Sequence, residues 1–297
     1  MDELGMRQCT AVLPVKDSNM PSKPWIDDFT AGYMARVMHL FPKQGEKAPW
    51  VNTQNYILDK KMIRNTALED GVLTFDNPKG ADAGSKAALA YQAKAGAGTI
   101  GVFATAGTVA SEGYPRTLQA MAKEKTLPVL SVVSQGGAGL AESIDRDWSY
   151  FVDTLTQARK EYKGPSMKNP LYNIDTTLLA AYQFDKSNNK LLCEYDDKGS
   201  CLDLQLNDPA NYVRYHLVTL LEKMLQQNMK TPMNTLILGC THYPFMRDTI
   251  RNVLNELYNM KFNGQYAYRS VLAKHVELID PAVETAKEAL CPSTQRI

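Results

Sequence analysis

Net charge is almost absent from this chain. Its 33 lysines and arginines offset 32 aspartates and glutamates, for a formal charge of +1. It therefore lacks the basic face that a nucleic-acid partner calls for. Long apolar runs are missing as well, and no stretch approaches the roughly 20 residues of a membrane span. Cysteine is scarce: five are scattered over 297 residues, with no framework spacing and no Cys-x-x-Cys pair, which suits a reducing cytoplasm. No strand runs into Gly-x-Gly-x-x-Gly, so no dinucleotide or flavin turn is expected. His39 and His216 sit in helical patterns beside apolar residues, and His275 precedes a strand without a metal-like partner. The start, Met1-Asp-Glu-Leu-Gly-Met6, does not read as a secretory signal. The expectation is a cytoplasmic protein with no metal, no cofactor, no membrane and no nucleic acid.

What is present is apolar residues, 44% of the chain, enough for one large or two smaller domains. The first part reads as a unit of mixed local structure. Phe29, Tyr33, Val37 and Leu40 are spaced for one face of a helix over 28–40, which Pro42 ends. Asn77-Pro78-Lys79-Gly80 is a turn or linker signal, and the boundary is placed there, giving units 1–79 and 80–297. Beyond it helices and strands alternate. Helices are expected over 85–95, 109–125, 212–229, about 245–258 and from 282, and strands over 100–104, 129–133, 235–238 and from 276. That order predicts an α/β fold with a parallel sheet and right-handed crossovers. The stretch 146–210 interrupts the pattern and reads as an insertion. Within it, Cys193 and Cys201 straddle a turn signal that suggests a hairpin, which leaves a pair between the two open.

The stretch most informative about function is Gly239-Cys240-Thr241-His242-Tyr243-Pro244, at the end of the apolar run Thr235 to Leu238. It sets a thiol where a buried strand gives way to a helix, with Pro244 suited to the helix's first turn. Open α/β sheets bind ligands at that end, and helix N-termini favour carboxylates and thiolates. The bland reading of Cys240 is a small buried core residue. Thr105, Gly107 and Thr108, after another strand, are candidates to line the same cleft; alternatively Thr108 simply caps the next helix. Asp280 before Pro281 reads as an N-cap. Gln135 to Gly139 forms a glycine-rich loop, but glycines alone do not specify a phosphate.

The string Thr235-Leu-Ile-Leu-Gly-Cys-Thr-His-Tyr-Pro244 resembles the second catalytic-cysteine motif of the glutamate/aspartate racemases, cofactor-independent isomerases of acidic amino acids. Thr99 to Tyr114 and Val276-Glu-Leu-Ile-Asp-Pro281 resemble that family's strand with a glycine-threonine turn and its closing strand, so the likeness spans about 82–290. It implies the second of two α/β lobes, with Cys240 and His242 catalytic and Thr241, Thr105, Gly107 and Thr108 contacting a glutamate or aspartate substrate. The first-lobe Cys-Asn-Thr motif occurs nowhere in the chain. The resemblance therefore implies one of two catalytic cysteines, and weak activity or none, unless a second chain in a homo-oligomer supplies the other base. The alternative is a non-catalytic relic or binding protein. Residues from about 5 to 79, among them Pro24-Trp-Ile-Asp-Asp28, Phe41-Pro-Lys-Gln-Gly45, Pro49-Trp50 and Gln54-Asn-Tyr56, resemble the carboxy-terminal tail of Baeyer–Villiger-type flavin monooxygenases. That likeness implies a fusion and no flavin site.

Overall fold

A computed structural model describes residues 78–290 together with two short strands, β1 (Leu68–Glu69) and β2 (Val72–Leu73), which pair antiparallel. The helix expected over 28–40 and most of the unit placed at 1–79 lie outside the described residues. After β2 come α1 (Pro78–Ala95), β3 (Thr99–Ala104), α2 (Ala106–Ala110), α3 (Gly113–Glu124), β4 (Val132–Gly136) and α4 (Leu140–Ile144). They are followed by α5 (Leu179–Tyr182), β5 (Leu191–Tyr195), β6 (Cys201–Leu206), α6 (Pro209–Gln226), β7 (Met233–Gly239) and α7 (Arg247–Asn259). The small hairpin β8 (Lys261–Phe262) and β9 (Gln265–Tyr266), then β10 (Leu272–Ile279) and α8 (Pro281–Leu290), complete the order.

Four strands form one parallel sheet in the order β10-β7-β3-β4. The fold is α/β, as the alternation predicts. Neighbouring strand residues point to opposite faces, and both faces are apolar. Ile100, Val102 and Ala104 join Ile237 and Ile279 in a core with Leu89 of α1 and Leu118 of α3. Phe103, Leu236, Leu238 and Leu278 pack instead with Leu217 and Leu221 of α6 and Val253 and Leu257 of α7. That double coverage is why β7 reads as a run of apolar residues rather than as an alternation.

Several element boundaries differ from the sequence reading. Helix α1 starts at Pro78, so Lys79 and Gly80 lie in a helix rather than a linker. Proline suits a first helical position because its missing N–H would have had no partner there. The helix expected over 109–125 is broken into α2 and α3 at Glu112, whose φ is +54°. The strand expected from 129 begins at Val132: Pro128 cannot donate to a ladder, and Val129 is 90% exposed. Gln135 and Gly136, read as loop, belong to β4. Pro244 falls in a 3₁₀ turn, Tyr243–Met246, before α7 begins.

The insertion carries the expected hairpin, β5 with β6, and Cys193 and Cys201 are joined in a disulfide with 5.8 Å between their Cα atoms. That is the hairpin pair left open for these two cysteines, and it departs from the expectation of no framework spacing. The segment between α4 and α5 has little regular structure, and alternate residues of β6 and its extension bind its backbone. Asp203 Oδ1 accepts from Lys168 N at 3.0 Å. The Gln205 amide brackets Arg159, accepting from its N at 2.9 Å and donating to its O at 2.8 Å. Asn207 does the same for Val152, at 2.9 and 2.8 Å. All three side chains are buried, so these amides stand in for a ladder that the strap's backbone lacks.

Candidate active site

The topology creates a crevice. From β3 the chain passes through α3 on one face of the sheet, and from β7 it passes into α7 on the other. Adjacent strands whose connections diverge to opposite faces form the switch point at which open α/β sheets bind ligands. The register pairs Ala104 with Gly239 and with Gly136. Thr105, Cys240 and Gly137 therefore leave three neighbouring strands in one row, at the carboxyl edge.

Tyr243 secures this row. Its buried hydroxyl lies 3.0 Å from Gly137 O and 3.3 Å from Ala104 O, and Gly137 N donates to Ala104 O at 2.8 Å. Burial pushes the Tyr243 phenol well above its ordinary value, so it stays a protonated donor. Its ring packs on Phe103 with 4.5 Å between centroids. A side chain at Gly137 would collide with the Tyr243 hydroxyl, and one at Gly239 would come within 2.9 Å of Ala104 Cβ and of the Tyr114 ring. Both glycines are thus required by close packing.

Cys240 is half-buried, and its Sγ lies 3.7 Å from His242 Nδ1. Thr241 Oγ1 is 3.4 Å from the same nitrogen. On the other side of the ring, His242 Nε2 is 2.9 Å from Asp145 Oδ2. A carboxylate only accepts, so Nε2 carries a proton, and in the neutral ring Nδ1 is then the acceptor that faces the thiol. The result is a thiol, a base and a carboxylate that orients the base.

Asp145 is the residue that the sequence reading missed. It is the C-cap of α4, followed by Arg146 with φ +59°, and it meets His242 across almost a hundred residues of chain. No local motif marks it. The other expected residues divide. Thr105 lies in the row beside Cys240 and is the N-cap of α2: its Oγ1 accepts from Thr108 N at 3.3 Å and lies 2.9 Å from Thr108 Oγ1. The alternative that Thr108 caps the helix is therefore corrected. Thr105 caps, and Thr108 is buried in the first turn. Gly107 is exposed, with open space where a side chain would stand. Asp280 Oδ1 accepts from Ala282 N at 3.0 Å, just ahead of Pro281, the N-cap arrangement expected.

His216 has a supporting place. It is fully buried, with Nε2 2.9 Å from Ala138 O, so α6 holds the loop after β4. Burial first, and Lys223 nearby, lower its pKa to about 4, against the opposing effect of the Ala138 bond. The ring is neutral near pH 7 and donates from Nε2. His275 pairs with Glu277 at the surface, at 3.6 Å; His39 lies outside the described residues. Among the described residues, no group of three His, Cys, Asp or Glu is placed to hold a metal ion, and no helix is long and apolar enough to cross a membrane.

No family model matches the chain. Over 55 residues it is 42% identical to a glutamate racemase of Cupriavidus pinatubonensis, a match covering 17% of this chain and 20% of that protein. Over 47 residues it is 51% identical to the probable FAD-binding monooxygenase AlmA of Acinetobacter baylyi, covering 16% of this chain and 9% of that protein. Among solved structures, the glutamate racemase isoform RacE1 from Bacillus anthracis superposes with a TM-score of 0.42 at 18% identity, covering 87% of this chain and 75% of that one. The chain is thus similar over short stretches to glutamate racemase and to FAD-binding monooxygenases, and it spans a fifth or less of the length of these two curated relatives.

Proposed function

We propose that the described unit is a racemase-like lobe in which Cys240 acts as a one-sided acid–base group on the α-carbon of an acidic amino acid, glutamate or aspartate. The observation that carries this reading is the Cys240–His242 pair at the sheet's switch point. His242 Nδ1 accepts the thiol proton, and the thiolate then removes the α-hydrogen from the face turned toward it. Thr105 and Thr241, beside the thiol, are the hydroxyls suited to the substrate carboxylate. Gly107 and Thr108 contribute through the α2 turn that they build.

Inversion needs a second base on the opposite face, because a single base returns the proton to the side it left. The sequence holds no second motif of this kind. Alone, the lobe exchanges the α-hydrogen of one enantiomer with retention, and losing one of two bases that act as a unit costs several orders of magnitude in racemisation. A second chain in a homo-oligomer would restore inversion. The similarity to a monooxygenase over 47 residues favours a second reading of origin: a fusion of a monooxygenase tail, about residues 1–79, with a racemase fragment, about 80–297, acting without cofactor. The test is NMR of deuterium incorporation into L- and D-glutamate and aspartate, with circular dichroism of both acids. Exchange without inversion, lost in Cys240→Ser, is expected. Inversion at a rate approaching that of a complete enzyme would overturn the one-sided reading.

A further inference from the structure

The constellation at Cys240 is half of a racemisation site, yet it is complete for a different chemistry. Nucleophilic catalysis asks for a nucleophile within reach of a base, and for a third group that orients the base. Cys240 Sγ, His242 Nδ1 at 3.7 Å and Asp145 Oδ2 at 2.9 Å from Nε2 meet that requirement within one chain. Asp145 is held from outside the motif, at the end of α4, so the orienting group does not follow from the local turn.

We infer that Cys240 is a nucleophile that accepts acyl groups from activated esters or thioesters and passes them to water. The proton moves from Sγ to His242 Nδ1, and the sulfur lone pair attacks the carbonyl carbon to form a C–S bond. The C–O or C–S bond to the leaving group breaks, and that group takes the proton from Nδ1. Water then loses a proton to Nδ1 and attacks the thioester. The C–S bond to Cys240 breaks, and the thiol recovers its proton. No electrons are gained or lost overall, and water is the sole co-reactant. Activated acyl groups are the class indicated because a good leaving group asks least of the single acid, His242. This activity goes beyond the racemase-like reading and needs no second base.

The experiment uses the full chain with p-nitrophenyl acetate in stopped flow, and peptide mapping after the burst. The expected result is a burst of about one p-nitrophenolate per chain with an acetyl group on the Cys240 peptide, abolished in Cys240→Ser. His242→Ala should slow acylation by roughly 100-fold or more, the usual contribution of a positioned general base. Asp145→Asn should slow it less and move its pH profile upward. The Asp145 side chain is 54% exposed, so this variant is expected to fold, and far-UV circular dichroism checks it. Acetylation of Cys240 with the profile of an ordinary thiol, pKa about 8.5, unchanged in Asp145→Asn, would overturn the proposal. So would acetyl groups only on other residues. Hydrogen exchange of glutamate, run in parallel, separates the two readings: acylation without exchange removes only the racemase reading, and exchange without acylation removes only this one.

Discussion

Lowering the pH should loosen this fold through one side chain, His216. It is fully buried between α6 and the loop after β4, and its Nδ1 has no hydrogen-bond partner among the described residues. Burial holds its folded pKa at about 4, against the 6.5 taken for an unperturbed histidine. A depressed histidine is neutral in the folded state while the unfolded chain takes up a proton. Between pH 6.5 and 4 the unfolded state therefore binds more protons, and stability falls as the pH falls through that window. Lowering the pKa from 6.5 to about 4, at about 1.4 kcal/mol for each tenfold change in proton affinity, makes the full loss about 3.5 kcal/mol, a large part of the 5–15 kcal/mol typical of a domain. Urea unfolding followed by circular dichroism at pH 7, 6, 5 and 4 measures it. Carboxylates add a background of their own, so the informative quantity is the difference from His216→Gln, which keeps a donor for Ala138 O and cannot titrate. Equal pH dependence in the two proteins would refute the argument.

Three further outcomes follow from contacts already described. Asn207→Ala should cost about 3 kcal/mol, because it removes hydrogen bonds to Val152 N, Val152 O and Asn189 O at 2.8–3.0 Å and leaves partners without replacements; urea unfolding measures the loss, and hydrogen exchange at Val152 should rise. Gly137→Ala should cost about 1–3 kcal/mol by overpacking against the Tyr243 hydroxyl and Phe103; a double-mutant cycle with Tyr243→Phe should show part of that cost recovered. Asp208→Ala should cost about 1 kcal/mol, since Asp208 Oδ1 accepts from Ala210 N at 2.9 Å at the start of α6; a drop in melting temperature reports it.

The parallel sheet was legible because β3 and β7 carry apolar runs and the strands are separated by helix-length segments. Cys240 and His242 were legible because two positions of one turn must be close in any fold. Boundaries failed where a residue had two local uses. Pro78 is equally a linker signal and a helix start, and tertiary contact of α1 with α3 and α8 decides between them. Thr105 and Thr108 share the spacing of a cap and its first turn, and only the helix start tells which one caps. Asp145 could not be read at all, because its partner lies beyond the whole insertion and nothing in Asp145-Arg-Asp147 specifies a histidine. The Cys193–Cys201 disulfide depends on the register of β5 with β6, which a turn signal does not fix.

The two contacts of His242 rest on different kinds of structure. Its contact with Cys240 spans two residues of one turn, and Tyr243, next along the chain, anchors that turn to Gly137 and Ala104. Its contact with Asp145 depends on where α4 ends and on the strap that follows. That strap is held by the amides of Gln205 and Asn207 rather than by a ladder. Segments with little regular structure open at lower free energy than sheet cores. The thiol–imidazole pair is therefore the durable half of the constellation and Asp145 the adjustable half.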